Sequence, residues 1–446
     1  TAHARVRAHA EFMRIWEEGY VATTATFDAM HMQGVAILDG APLRGADGRL
    51  DRAGIASWIE DATRGIPYAR LRLMRSPLGL TPPAWVPDAS FDVKHHVRFD
   101  EDDVALSTRT LPRLIGWDAG PLTLTRPLWR VTFTTLTDGR VAMGLLMHHS
   151  GGDALRTLSF LSALTVSKPD AAPKPAADPF AQARAPRIGG GLVLQALAQW
   201  RAEHDGLGSA LRAWARRPLH RRARRAAARF LRPVRDRSRG HRPPATHSAF
   251  RTIAAGVVQD HARAANASMN EMTVASVLRV AAGSDPVQVR VPVLRRRTEE
   301  SRNRISDVLI RSIPTHPVAD VAVDVRRQLE AAKEEAGAVR PAEDSPAREI
   351  GYATLVPWLS RPRYLNGARV EDLIVLPAAL PDDELSMFAI LYTDKITVTA
   401  TAPRTSDVER TVERLVQELA GSWTTECEGQ ATASDDQTAC IRPAVG

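Results

Sequence analysis

The sequence predicts a mixed α/β (α+β) protein built as two lobes, and three observations carry that reading. Both halves mix strand and helix patterns: the apolar run Val141–Met147 precedes a helical pattern from Leu155 to Leu164, and Val287–Val293 precedes one from Val321 to Ala336. Between the halves the composition changes abruptly, with Pro169, Pro173, Pro175, Pro179 and Pro186 marking a linker. The chain has 446 residues and is 44% hydrophobic, enough to bury a large core, and its length suggests two to three domains. The expected boundaries are residues 1–167 for the first lobe, 168–248 for the Pro-rich linker and Arg-rich crossover helices, 249–422 for the second lobe and 423–446 for a flexible tail.

In chain order, Val6, Phe12, Met13, Ile15 and Trp16 suggest an amphipathic helix over residues 6–20. Phe27 to Leu38 includes a strand that ends at the Asp39-Gly40 turn, with His31 at its start. Leu50 to Arg64 reads as a helix with Ile55, Trp58 and Ile59 on one face. Val93 to Asp100 alternates apolar and polar residues and reads as one half-exposed strand. Leu122 to Phe133 is a turn into a strand, and Asp138-Gly139 is a hairpin signal before the strand Val141–His148. That last strand is apolar throughout, which places it centrally in a sheet. A helical stretch should run from about Leu192 to Leu231 with a break at Pro218. In the second half, strands are expected at 250–258, 287–293, 305–313, 370–376, 386–392 and 396–402. Helices are expected at 259–267, 272–282, 321–336 and 408–419. No close internal repeat is evident.

Net charge is +8 and the basic residues are nearly all arginine, which together with abundant alanine fits a high-GC codon bias. The basic balance therefore argues only weakly for nucleic acid, and no zinc-finger or RNP pattern supports it. The Arg-dense segment from Arg216 to Arg232 reads as a solvated helix face or as a contact for an anionic membrane surface or donor phosphates. Cys427 and Cys440 fit no metal or redox spacing and are expected as reduced thiols, with a disulfide between them as the alternative. No apolar h-region opens the chain, and no apolar run reaches the ~18 residues of a membrane span, so a cytoplasmic location with optional peripheral membrane contact is expected.

The chemistry-bearing stretch is His148-His149-Ser150-Gly151-Gly152-Asp153. The same HHxxxD string occurs at His95-His96-Val97-Arg98-Phe99-Asp100, so the string alone decides nothing. In an extended strand His96 and Asp100 would stand ~13 Å apart at ~3.3 Å per residue, too far for one compact site. At 148–153 the Gly-Gly pair permits a tight turn, and Asp153 can cap the helix that follows. A neutral histidine there suits general-base work, because its pKa lies near working pH. A hydrolase would need a nucleophile; Ser150 is the nearest hydroxyl, and no GxSxG elbow is present. A zinc site could draw on His148, His149 and Asp153, but adjacent strand residues point to opposite faces and no HExxH glutamate is present. No metal and no cofactor are expected.

Met30-His31-Met32-Gln33-Gly34 resembles an MHxG strand, Phe91-Asp92-Val93-Lys94-His95-His96-Val97 an FDLxxHV segment, Pro127-Leu128-Trp129 a PLW motif, and His148–Ala154 an HHxxxDG motif. These resemble the bacterial wax ester synthase/diacylglycerol acyltransferase family, within the HHxxxD acyltransferase and condensation-domain superfamily. The resemblance covers roughly Phe27 to Leu419. It implies two chloramphenicol-acetyltransferase-like lobes with a substrate tunnel between them, His149 as the base, and Asp153 as a structural partner paired with an arginine. It further implies oxyanion or loop support from Ser150, Gly151 and Gly152, and tunnel positions at Pro127, Leu128, Trp129, Ser276 and Trp358. The second half departs from the family: its ND pair falls on Ala275 and Ser276, its SNVPGP loop on Thr354–Leu359, and its GLNI strand on Glu384–Met387. The implied activity is O-acyl transfer from an acyl thioester, acyl-CoA or acyl carrier protein, to the hydroxyl of a specialised lipid or secondary metabolite. Amide-forming or carrier-dependent condensation is the alternative, as is a lapsed member that only binds a ligand or partner. A monomer or homodimer is expected.

Overall fold

The computed structural model describes residues 7–13, 17–21, 30–75, 81–186, 190–203, 246–281, 286–294, 305–312, 317–334, 347–377 and 383–422. Through residue 203 the elements are β1 (Arg7–Ala8), β2 (Glu11–Phe12), β3 (His31–Leu38), α1 (Arg52–Thr63), α2 (Pro67–Arg70), β4 (Leu71–Met74) and β5 (Ala84–Pro87). They continue with β6 (Val97–Val104), α3 (Leu111–Ile115), β7 (Trp129–Leu136), β8 (Val141–His148), α4 (Ala154–Leu164), β9 (Ala183–Arg184) and α5 (Gly190–Glu203). Next come β10 (Thr246–Ala254), α6 (Ala255–Ala264), α7 (Met269–Ala281), β11 (Val287–Leu294), β12 (Ile305–Ser312) and α8 (Val318–Glu334). The last are β13 (Arg348–Pro357), β14 (Tyr364–Leu365), β15 (Ala368–Leu376), β16 (Ser386–Tyr392), β17 (Lys395–Pro403) and α9 (Val408–Leu419). The mixed α/β class is as expected.

The chain divides into two compact units. The first contains a six-stranded sheet in the order β14-β15-β3-β8-β7-β6 and a three-stranded sheet β2-β5-β4. Every residue of β7 and β8 is buried, as the unbroken apolar run of β8 predicts for a central strand. At Gly144 in β8 an added Cβ would lie 1.9 Å from the Leu114 carbonyl oxygen, so a bare glycine is what lets α3 pack directly on the strand. The second unit holds a six-stranded sheet in the order β10-β17-β16-β13-β11-β12. Its core includes Met272, Val274, Val277 and Leu278 of α7, Val289 of β11 and Leu415 of α9. Helix α9 fits its place because Asp407 caps it by accepting from the Arg410 N–H, and Val408, Val412, Leu415 and Leu419 form its buried stripe.

The structure departs from the sequence reading at four places. The described part of residues 6–20 is not an α-helix: β1 pairs with β9, β2 with β5, and a 3₁₀ turn spans Glu17–Val21, while residues 1–6 and 14–16 lie outside the described residues. Phe12 packs against Met74 and Val86, so tertiary contacts override local periodicity there. Val93–His95 is a 3₁₀ turn capped by Asp92, and the strand begins only at Val97. The strand expected at 250–258 runs from Thr246 to Ala254 and passes straight into α6. The boundary at 249 also fails for residues 359–377, which belong to the first unit because β15 pairs antiparallel with β3. Arg363 reinforces this by donating to the carbonyls of Ser162 and Thr165 and to the Thr165 hydroxyl at the end of α4. Of the long helix from Leu192, α5 is described to Glu203; the Arg-rich segment, the tail and both cysteines lie outside the described residues.

Candidate functional site

Strand β8 delivers His148 and His149 to a 3₁₀ turn, His149–Gly151, and Asp153 then starts α4. The two histidines have different fates. His148 is fully buried. Its Nδ1 accepts the Ser150 backbone N–H at 3.2 Å and faces the Ser150 hydroxyl at 2.6 Å. A nitrogen accepting a backbone N–H carries no proton, so the His148 proton sits on Nε2. His31 lies directly across the β3–β8 pair from His148, and their rings meet edge-on at 5.1 Å. His31 is itself fully buried, and its ring also meets Trp117 at 5.2 Å.

His149 is half-buried. Its backbone N–H donates to the Met30 carbonyl at 2.8 Å, and its carbonyl accepts the Gly152 N–H at 3.2 Å. Its ring stacks on Tyr20, 4.8 Å between centroids with 22° between planes. Sequence spacing carries no signal for this contact, since Tyr20 and His149 are far apart in the chain and meet only through tertiary packing.

Tyr68, also missed in sequence, shapes the turn. Its hydroxyl donates to the Leu128 carbonyl at 2.7 Å and to the His148 carbonyl at 3.3 Å. Its ring fills the space where a Cβ on Gly151 would be, 1.6 Å from Cε2. Gly151 is therefore required by close approach. Asp153 is 2% exposed and caps α4 by accepting from the Arg156 N–H at 3.1 Å. Thr157 donates its backbone N–H to the Asp153 carbonyl at 3.0 Å and its hydroxyl to the Met32 sulfur, also at 3.0 Å, tying α4 to β3.

The other expected site residues are distributed as follows. Ser150 faces His148 at 2.6 Å but is fully buried, and the burial disfavours it as a nucleophile. The backbone N–H groups of Ser150 and Gly152 hold the turn itself, so the oxyanion donor expected at Gly152 is already committed to His149. Pro127, Leu128 and Trp129 are buried; Trp129 donates from its ring to the Ala69 carbonyl at 3.1 Å and packs against Phe160 of α4. They support the motif from beneath. Ser276 is buried within α7, donating to the Met272 carbonyl at 2.8 Å. Trp358 follows β13, its N–H donating to the Leu391 carbonyl and its ring 5.0 Å from Tyr392. Ser276 and Trp358 lie in the second unit, whereas the HHxxxD turn lies in the first. Among the described residues, no group of three or more His, Cys, Asp or Glu side chains could hold a metal.

The second HHxxxD string is structural. His95 is exposed and His96 is 2% exposed. His96 donates from Nδ1 to the Trp129 carbonyl at 2.8 Å and stacks on the Trp129 ring at 4.4 Å. Burial pushes its pKa down to about 4, so it is neutral at working pH. Asp100 is turned to Arg113, which bridges it through Nε at 2.6 Å.

These features define a two-unit α/β protein with a histidine turn at the end of a buried strand. The wax ester synthase/diacylglycerol acyltransferase catalytic domain matches residues 20–310, and the chain belongs to that family. Two provisionally named diacylglycerol O-acyltransferases of Mycobacterium tuberculosis H37Rv are similar. One is 36% identical over 117 residues, 26% of this chain and 25% of the relative. The other is 33% identical over 141 residues, 31% of this chain and 26% of the relative. The matched stretch thus spans about a quarter of these curated relatives. The fold is similar to that of the wax ester synthase/diacylglycerol acyltransferase from Marinobacter aquaeolei VT8, with a TM-score of 0.57 at 16% identity over 92% of this chain and 98% of that one. It is similar also to the first condensation domain of the calcium-dependent antibiotic synthetase, with a TM-score of 0.56 at 17% identity over 92% and 96%. Polyketide synthase associated protein 5 from Mycobacterium tuberculosis gives 0.55 at 13% identity over 92% and 97%. No helix among the described residues is long and apolar enough to cross a membrane.

Proposed function

We propose that this chain is an O-acyltransferase that moves an acyl group from an acyl thioester to a hydroxyl acceptor, with His149 as general base. The observation that carries the proposal is the sorting of the two histidines. His148 is sealed and fixed in one tautomer, while His149 stands half-buried on the turn. The neutral His149 imidazole takes the acceptor's hydroxyl proton as the oxygen attacks the thioester carbonyl. The tetrahedral intermediate then collapses, the C–S bond breaks, and the imidazolium returns its proton to the leaving thiolate. No covalent enzyme intermediate and no cofactor is needed.

Acyl-CoA and acyl carrier protein remain the two donor classes. A specialised lipid or secondary-metabolite hydroxyl is favoured because the family's ND pair and GLNI strand are replaced here by Ala275, Ser276 and Glu384–Met387. A peripheral contact of the Arg-rich segment with an anionic membrane belongs to the same proposal; salt-insensitive or absent liposome binding would remove it.

The test is free-thiol release from a panel of acyl-CoAs, with and without long-chain and aromatic alcohols, for wild type and His149→Ala. Alcohol-dependent thiol and ester formation that falls ~10²–10⁴-fold in the variant is expected. Ester formation at the wild-type rate in His149→Ala would overturn the mechanism.

A further inference from the structure

His149 is half-buried on a short turn whose Ser150 and Gly151 are buried, and work as a base asks for a held ring orientation. Ring torsions of histidine are broad, and a base displaced by about 1 Å can lose ~10²-fold in rate. The backbone of His149 is tied to the Met30 carbonyl and the Gly152 N–H.

The 3₁₀ turn Glu17–Val21 is packed against the His149–Gly151 turn. It is pinned from the other side by Arg75, whose guanidinium donates to the Val21 carbonyl at 2.7 Å. Buried Val21 and buried Glu17 flank the turn and hold it against the unit. Tyr20 projects from this anchored turn and lays its ring nearly parallel to His149 at 4.8 Å. A ring pair in this geometry resists rotation of either partner, and the π-face of tyrosine also favours the imidazolium that forms during proton transfer. The stack covers one face of the imidazole.

We propose that Tyr20 is a positioning residue for the base: its stack fixes the His149 ring plane and supports the imidazolium in the transition state. This rests on the reading of His149 as the base. Phenylalanine and tryptophan can supply the same stack, whereas leucine keeps the apolar volume and loses the ring.

The experiment compares Tyr20→Leu, Tyr20→Phe and Tyr20→Trp in the full chain. Steady-state acyl transfer is measured together with NMR of ¹³C-labelled histidine, and His149→Ala assigns the His149 signal. Tyr20→Leu is expected to lower kcat about 3–10-fold with KM little changed, from the worth of an aromatic pair. It should also remove the ring-current displacement of the His149 signal. Tyr20→Phe and Tyr20→Trp should keep both within about twofold of wild type. An effect on KM alone, a Phe variant as poor as Leu, or an unchanged kcat with the ring-current displacement lost would each overturn the assignment. The two readings fail differently. Full turnover in His149→Ala removes the base and Tyr20's role with it, whereas turnover lost in His149→Ala but kept in Tyr20→Leu sinks Tyr20 alone.

Discussion

At His148–Asp153 the first histidine is sealed, the second is half-buried on a turn, and the aspartate caps a helix. At His95–Asp100 the order is reversed: the first histidine is exposed, the second is locked under Trp129, and the aspartate is bridged by an arginine. Both stretches have the same six-residue spacing. What differs is which side of the chain's turn faces the core. At 148 a buried strand ends with its last side chain inward, and the 3₁₀ turn then presents the next residue. At 95 a 3₁₀ turn comes first and the strand second, so burial falls on the later histidine. A motif's spacing thus carries chemistry only once the flanking elements fix its parity.

The largest expected effect tests the assignment of roles. His149→Ala should lose ~10²–10⁴-fold in kcat with an unchanged far-UV spectrum, while His95→Ala keeps wild-type turnover. Equal losses in both variants would erase the distinction.

Stability against pH sharpens the comparison next. His96 stays neutral in the fold down to about pH 4, whereas in the unfolded chain it gains a proton near its ordinary value of 6.5. Between those values the unfolded state binds more protons, so stability falls as pH drops from about 6.5 to about 4 and loses nothing further from this group below that. The loss is about 3 kcal/mol at most, from 1.36 kcal/mol per pH unit. Urea unfolding of wild type and His96→Gln across this window should show a flatter curve for the variant. Parallel curves would mean that His96 is not the buried titrating group.

Gly151→Ala should cost about 1–3 kcal/mol by overpacking Tyr68. Thermal melts should show part of that recovered when Tyr68 is cut to Leu in the same chain, even though the Leu variant alone loses the hydroxyl bonds to Leu128 and His148. Asp153→Ala should cost ~1 kcal/mol through the lost cap and Asp153→Asn much less. Identical melts for Ala and Asn would show that capping is not its role.

The smallest effect belongs to the Asp100–Arg113 bridge. Arg113 holds the Asp100 carboxyl below its usual range, so its contribution is present above that range and fades as pH falls through it. Both side chains keep a quarter to a third of their exposure, so Asp100→Asn should cost only ~0.5 kcal/mol and leave turnover unchanged.

Much of this was legible in the sequence for identifiable reasons. The apolar run of β8, the Gly-Gly pair and the Asp153 cap are local signals, and they located the histidine turn correctly. The helices α1, α4, α8 and α9 follow from apolar periodicity, which is a property of the chain itself. The misread segments share the opposite property. Residues 7–13 and 17–21 take their form from β9, β5 and Arg75, and residues 359–377 from β3 and the end of α4, partners far away in sequence. Tyr20 and Tyr68 belong to the site through such contacts alone.

By itself, then, the sequence determined the class of the fold, the position of the turn and the residue type able to serve as base. Those depend on periodicity, on glycine's tolerance and on the intrinsic pKa of imidazole. Only the tertiary structure decided which histidine of each pair is buried, why Gly151 must lack a side chain and what lies against His149. Each of those is fixed by packing between segments separated by tens to hundreds of residues, where sequence spacing no longer measures distance.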